Sequence, residues 1–261
     1  MKTKAATTTL SDAWTETWSY LLEEKEYLAK GYARQIVEEC RLFEGDFLKF
    51  FEDALKRSNG KGKSQRDRER LARSLLHAFQ DEIFGFGSQK NHRKLRFLVA
   101  YQKQGKLPRI VLRSHFFDQD AKGTWTHYER AHSVITNHAL QRLYLRGGAR
   151  TLGDVKAHTR RIAGWISTIN LFKQENSVPI PTSDGLFAIK TRGAESILVT
   201  YISKENLFGR ALENWEDLQR EENLVSDSPD IFPKDFEGKK PSELARATEL
   251  LPIRWTGSGV S

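Results

Sequence analysis

The stretch from Thr136 to Gly147 holds the side chains best suited to chemistry. Within it, His138, Arg142 and Arg146 are spaced four residues apart. On an α-helix such steps keep the three side chains within about 80° of one face. Neighbouring guanidinium groups repel each other unless an anion or a carboxylate lies between them. The spacing therefore indicates a helical surface suited to an anion such as phosphate.

The residues around these three side chains favour the same interpretation. Thr136 or Asn137 can cap the helix, which places His138 in its first turn. Free backbone N–H groups at a helix start attract negative charge. The opposite side of the helix is apolar and would face a core; it holds Ala139, Leu140, Leu143 and Tyr144. The sequence thus predicts an amphipathic helix with a cationic outer face.

Such a face carries one titratable ring beside two cationic hydrogen-bond donors, and all three groups can act on a phosphate. A histidine titrates near neutral pH, so His138 could accept or donate a proton. Arg142 and Arg146 would stabilise charge that develops on a phosphate. A second proton-transfer group is not singled out by spacing, and four histidines remain candidates: His115, His127, His132 and His158. Two other interpretations stay open, namely phosphate binding without catalysis and pairing of the arginines with carboxylates.

The pattern His-Ala-x-x-Arg-x-x-x-Arg-Gly at residues 138–147 resembles the start of small RNA-cleaving toxin domains of the barnase–EndoU–colicin–RelE group. Residues 198–202, Leu-Val-Thr-Tyr-Ile, are similar to a strand of the antiparallel sheet that follows the helices in those domains. The resemblance spans residues 136–203. It implies a ribonuclease in which His138, Arg142 and Arg146 are catalytic. It also implies that Thr200 or Tyr201 orients the phosphate from a neighbouring strand.

Charge is distributed unevenly along the chain, whose net charge is +8. Residues 91–210 carry 20 lysines and arginines against 8 acidic residues, whereas residues 211–261 carry 6 against 11. A concentrated basic segment gains affinity for nucleic acid by releasing counterions, although a solvated face without a partner has the same composition. Further candidate RNA-binding residues in this segment are Arg150, Lys156, Arg160, Arg161, Lys190 and Arg192.

Hydrophobic periodicity predicts an α+β protein: an N-terminal helical lobe (1–90), a basic domain of helices packed on antiparallel strands (91–210) and an acidic tail (211–261). The lobe has three helical patterns over residues 10–85, with a break expected at Gly31. The basic domain should contain a three-stranded meander (95–102, 109–117, 125–135), two helices (137–147, 152–172), a loop with two prolines (173–184) and a hairpin (186–191, 197–202). A short helix is expected at 242–251.

Several classes of protein are disfavoured by what the sequence lacks. No run is long and apolar enough to span a bilayer, and the N-terminus lacks the apolar core of a secretion signal. With Cys40 as its single cysteine, the chain suits a reducing compartment, so we expect a cytoplasmic protein. Neither a Cys-x-x-Cys pair nor His-Glu-x-x-His is present, and no phosphate-binding glycine loop follows a strand, so we expect neither a metal nor a cofactor.

The preferred function at this point is a metal-independent ribonuclease of toxin or defence type. One alternative is an RNA-binding adaptor that uses the same basic face without cutting. Another is an interaction module that docks an acidic partner, such as an inhibitor protein. The helical lobe could support homo-oligomerisation, and the acidic tail could mimic nucleic acid and occupy the basic face.

Overall fold

The computed structural model describes residues 10–57, 64–159, 178–182, 184–192, 195–209, 212–213 and 215–216. Along the described chain, runs of helices and runs of strands follow one another in separate blocks, as is typical of an α+β protein, which confirms the predicted fold class. The helices are α1 (Leu10–Glu39), α2 (Asp46–Arg57), α3 (Gln65–Ala78), α4 (Asn137–Gly147) and α5 (Leu152–Thr159). The strands are β1 (Ile83–Gln89), β2 (Lys94–Lys103), β3 (Arg109–Gln119), β4 (Trp125–Ile135), β5 (Val178–Thr182), β6 (Gly185–Arg192) and β7 (Glu195–Ser203).

The strands of the described chain form one sheet in the order β1-β2-β3-β4-β7-β6-β5. All neighbours are antiparallel except β4 and β7, which pair in parallel over Ser133–Ile135 and Ser196–Leu198. The predicted meander and hairpin are antiparallel, and the parallel pairing of β4 with β7, which joins them into one sheet, was not predicted. A parallel pair needs a long crossover connection, and α4 and α5 lie between β4 and β7 in the chain.

Two strands were not predicted. Gly85 and Gly87 predict the end of the helical lobe, but residues 83–89 form β1, which pairs with β2 through an irregularity between Ile83 and Gly85. Pro179 and Pro181 predict a loop, but they lie within β5. Proline is tolerated there because β5 is the last strand of the sheet and pairs only with β6.

The predicted meander, the helix at 137–147 and the hairpin are confirmed. The break expected at Gly31 is wrong, since α1 runs through it without interruption. Of the helix predicted at 152–172, residues 152–159 are helical and the remainder lies outside the described residues, as does the predicted helix at 242–251. No helix in the described part is both long enough and apolar enough to cross a membrane.

Helices cover both faces of the sheet. On one face, α1, α4 and α5 bury a core against residues such as Leu98, Leu112 and Phe187. On the other, α2 and α3 pack on Phe97 and Phe117. Because side chains alternate along a strand, each strand divides its residues between these two cores. The cationic motif belongs to the first layer, on the side of α1.

Candidate phosphate-binding site

Helix α4 is anchored at its start by Thr136. The Thr136 side chain accepts a hydrogen bond from the Ala139 backbone N–H at 3.1 Å, as the sequence predicted for a cap residue. The same hydroxyl lies 3.0 Å from the carbonyl oxygen of Leu198, to which it donates. The helix ends at Gly148, whose φ of 68° is readily adopted only by glycine. These contacts fix α4 against β7.

The three predicted side chains share the outward face of α4, and we call His138, Arg142 and Arg146 the cationic face. His138 and Arg146 are exposed and Arg142 is half-buried, while Leu140 and Leu143 on the inner side are fully buried. Neither arginine forms an ion pair with a carboxylate of the described residues. The charge on this face is therefore open to an external anion. Of the acidic tail, only residues 212–213 and 215–216 are described, and the remainder lies outside the described residues.

The charges on this face act on one another. Partial burial of the ring lowers the pKa of His138, and the charges of Arg142 and Arg146 lower it further. The pKa of Arg146 is also lowered, first by burial and then by Arg142. An imidazole whose pKa lies below its usual range is neutral at pH 7, which suits it to accept a proton.

Glu26 of α1 is a neighbour of His138 that the sequence did not suggest. Its carboxylate opposes the arginines by raising the pKa of His138. The two residues are far apart in the chain, and only the packing of α1 on α4 brings them together. No motif or spacing could have indicated this pair.

The packing of α1 on α4 is reinforced by aromatic and polar contacts. Tyr32 stacks on Tyr144 with ring centroids 4.2 Å apart. Farther along, the Glu39 carboxylate accepts a hydrogen bond of 2.7 Å from the Leu152 backbone N–H. Later residues of α1 therefore meet later residues of the α4–α5 segment. The two segments run in parallel beside the cationic face.

The cationic face is an extended row. Four-residue steps at 1.5 Å per residue place His138 and Arg146 about 12 Å apart along the helix axis. Arg146 leans toward β7, with Nη1 3.5 Å from the carbonyl oxygen of Tyr201. A row of this length matches about three nucleotides of a strand, at roughly 3.4 Å each. It therefore suits a polymer of phosphates better than a single phosphate ion.

The residues predicted on the neighbouring strand do not join this row. Tyr201 is fully buried beneath the end of α4, where its ring packs on His158 and Phe187. Thr200 pairs with Ala188, between residues that face the α4 side, so alternation turns it to the opposite face of the sheet. The expectation that Thr200 or Tyr201 contacts the same phosphate is therefore wrong. Tyr201 is covered by α4, and Thr200 points to the other face of the sheet.

The additional RNA-binding candidates are dispersed. The Arg150 guanidinium lies 3.9 Å from the Tyr144 ring centroid and donates to the carbonyl oxygens of Tyr144 and Ala149. Lys156 donates a hydrogen bond of 2.6 Å to the Gln80 carbonyl. Lys190 is exposed, but alternation places it on the face opposite Ile189, away from α4. Arg160, Arg161 and the side chain of Arg192 lie outside the described part of the protein.

None of the four candidate histidines completes the cationic face. His115 and His127 lie on the opposite side of the sheet, toward α2. His132 is buried beside Ser133, with Nδ1 3.3 Å from Oγ. His158 contacts the Gly147 carbonyl through Nε2 at 3.0 Å, at the far end of α4 from His138. Glu26 is thus the one further titratable group of the described chain seen to act on His138.

In comparisons with known proteins, no family model, no curated protein and no solved structure matches the chain.

Proposed function

We propose that the cationic face of α4 binds the phosphate chain of RNA, and that the protein is a metal-independent ribonuclease of toxin or defence type. The observation that carries the proposal is that an exposed histidine lies on one helix face with two arginines that have no carboxylate partner among the described residues. The lowered pKa of that histidine supports a role as a base. The excess of basic residues over positions 91–210 supports the choice of a nucleic acid as the anion.

The chemistry would proceed by attack of the ribose 2′-OH. His138, held neutral by its surroundings, would accept the 2′-OH proton while O2′ forms a bond to phosphorus. The bond from phosphorus to O5′ would break, leaving a 2′,3′-cyclic phosphate and a 5′-OH that takes its proton from solvent. Arg142 would donate hydrogen bonds to the non-bridging oxygens of this phosphate, and Arg146, farther along the row, would hold a neighbouring phosphate of the strand. Glu26 would stabilise the imidazolium that forms.

A second candidate function is RNA binding without cleavage. The observation in its favour is that, within the described chain, no second acid or base other than Glu26 stands beside His138. An adaptor would use the same arginines to hold phosphates and would leave the histidine without a chemical role.

The test uses full-length protein and labelled single-stranded RNA in buffer containing EDTA. We expect cleavage products that end in a cyclic phosphate, and we expect His138→Ala to abolish cleavage while binding is largely retained. Arg142→Ala and Arg146→Ala should weaken binding and reduce the slope of log affinity against log salt by about 0.7 each. Arg73→Ala is the matched control, because Arg73 is an exposed arginine of α3 on the other side of the sheet.

The outcomes separate the candidates. Salt-dependent binding without any cleavage supports the adaptor and overturns the ribonuclease. Absence of RNA binding at modest salt overturns both the ribonuclease and the adaptor. The cationic face would then be expected to bind an acidic protein, such as an inhibitor. An equal effect of Arg73→Ala and Arg142→Ala would show that net charge, and not the cationic face, governs binding. Size-exclusion chromatography tests homo-oligomerisation through the N-terminal helices.

A further inference from the structure

A second group of chemically active side chains lies on the other face of the sheet, between β3, β4 and helix α2. His115 Nδ1 is 3.1 Å from His127 Nε2 and 3.9 Å from Glu129 Oε2. The ligand atoms of the three residues all lie within 4.8 Å of one another. We call these residues the histidine–glutamate cluster. It lies apart from the cationic face, and the function proposed above does not use it.

Strand register builds the cluster. Glu129 lies directly opposite His115, and His127 lies opposite Phe117, so all three polar side chains emerge on the α2 side. The ring of Phe47 lies 5.1 Å from that of His115. His115 is only 2% exposed, whereas the Glu129 side chain is 41% exposed and His127 is half-buried. The cluster therefore has a buried floor and an edge that solvent can reach.

The geometry points to a binding site for a divalent transition-metal ion of the zinc type, held by His115 Nδ1, His127 Nε2 and the carboxylate of Glu129. Two imidazoles and one carboxylate form a ligand set that such ions prefer. Zinc bonds of about 2.0–2.1 Å in a tetrahedron place ligand atoms about 3.3 Å apart. The separations of 3.1 and 3.9 Å from His115 Nδ1 lie on either side of that value. Glu52, an exposed residue of α2, is a further carboxylate whose charge acts on His127.

Surrounding groups orient the ligands as a metal site requires. The Tyr101 hydroxyl lies 2.7 Å from His115 Nε2, so a proton on Nε2 leaves the Nδ1 lone pair free for the ion. Arg113 donates to Glu129 Oε1 at 3.2 Å, which leaves Oε2 turned toward His115. Arg113 also pairs with Glu44 ahead of α2, so its positive charge is partly offset.

The neutral state of the histidines is compatible with this role. Burial, and to a smaller extent the charges of His127 and Arg113, lower the pKa of His115 to about 3. Burial likewise lowers the pKa of His127, against the opposing charges of Glu129 and Glu52. Both imidazole rings are therefore neutral at neutral pH, so a metal ion does not have to displace the extra proton of an imidazolium.

The experiment titrates chelator-treated full-length protein with Zn²⁺, and separately with Co²⁺ and Mg²⁺, by calorimetry. We expect one Zn²⁺ per chain, a rise in the thermal midpoint and the strong visible absorption of tetrahedral Co²⁺. His127→Gln and Glu129→Gln should each weaken Zn²⁺ binding by at least about tenfold, and Tyr101→Phe, which removes only an outer contact, by roughly 10- to 100-fold. His77→Gln, an exposed histidine of α3, is the matched control and should bind as the wild type does.

Circular dichroism of each variant guards against a trivial loss of fold, and Glu129→Gln, at a partly exposed position, gives the cleanest comparison. Unchanged Zn²⁺ affinity in both His127→Gln and Glu129→Gln would overturn the proposal, as would Mg²⁺ binding as tightly as Zn²⁺. Cleavage of RNA that persists in EDTA does not bear on this site, because the cationic face lies on the other side of the sheet.

Discussion

Tyr32 of α1 and Tyr144 of α4 stack with their rings 4.2 Å apart and nearly parallel, at an angle of 21°. The Arg150 guanidinium lies 3.9 Å from the Tyr144 ring and 5.7 Å from the Tyr32 ring. This stack ties the long first helix to the helix that carries the cationic face. It adds to two other supports of α1, namely the buried aliphatic residues of the helix and the hydrogen bond from the Leu152 N–H to Glu39.

Removal of one ring should therefore loosen α1. Tyr32→Ala is expected to lower the free energy of unfolding by about 1–2 kcal/mol, because it removes a stacked pair and its cation–π contact. Urea denaturation measures this change. Tyr27→Ala is the matched control, since Tyr27 is 77% exposed on the same helix and should have little effect. Equal losses in the two variants would show that the stack does not hold α1.

The pKa of His138 should respond to its arginine neighbours. In the wild type it should lie below the usual value of about 6.5, because partial burial and the charges of Arg142 and Arg146 disfavour the protonated ring. Arg142→Gln removes one of these charges and should raise the pKa, whereas Glu26→Gln removes the opposing carboxylate and should lower it. An NMR titration of the imidazole protons measures both shifts without relying on activity. Shifts in the same direction would contradict the arrangement described.

If the protein cleaves RNA, the same substitutions should move its pH profile. Acidification protonates the base, so kcat/KM should fall on the acidic side of the profile with a midpoint, the lower limb, at the His138 pKa. In Arg142→Gln that limb should move to higher pH, in step with the NMR value, and the rate should also fall by at least about tenfold because a phosphate donor is lost. A lower limb that stays in place while the NMR pKa moves would exclude His138 as the base.

Gly185 and Gly31 should respond in opposite ways to substitution by alanine. A Cβ on Gly185 would lie 2.2 Å from the backbone oxygen of Ile202 and 2.9 Å from the Cα of Ser203, so the β6–β7 pair must shift. We expect Gly185→Ala to destabilise the fold by about 1–3 kcal/mol. Gly31 has open space around its Cα within α1, and Gly31→Ala should stabilise by about 0.5–1 kcal/mol. Thermal and urea denaturation measure the stability of both variants, and each variant serves as the control for the other.

Acidification should destabilise the fold through His115. Its pKa is about 3 in the folded protein and about 6.5 in the unfolded chain, so the unfolded chain binds the extra proton between these values. Stability contributed by the neutral ring is thus complete above pH 6.5 and is lost as pH falls, at about 1.4 kcal/mol per pH unit. Burial of His127 adds a loss of the same sign.

Urea denaturation in metal-free buffer between pH 7 and pH 5 measures this slope before most carboxylates begin to titrate. His115→Gln should flatten the profile whatever its stability at pH 7, because the titrating group is gone. His77→Gln should keep the wild-type slope, since that side chain is exposed. A slope that persists in His115→Gln would assign the acid sensitivity to other groups.

Local patterns in the sequence were sufficient to predict α4, its cap at Thr136 and the common face of His138, Arg142 and Arg146, because all of these depend on spacing within one helix. The meander and the last hairpin were predictable for the same reason, since a strand alternation and a short turn are local features. β1 and β5 were missed where glycine or proline obscured the pattern. Partners in the sheet, not local propensity, stabilise these two strands.

Tertiary packing alone decided what surrounds the cationic face and which polar residues meet elsewhere. The charge of Glu26 acts on His138 only because α1 packs along α4. Alternation along β7 separates Thr200 from Tyr201, but only the packing of β7 beneath α4, together with a bulge in the β6–β7 pair, decides that Tyr201 is the residue covered by the helix. The approach of His115, His127 and Glu129 depends on the cross-strand register of β3 and β4 together with burial by α2. The distance between two residues far apart in a chain is determined by tertiary packing, and local sequence patterns do not predict it.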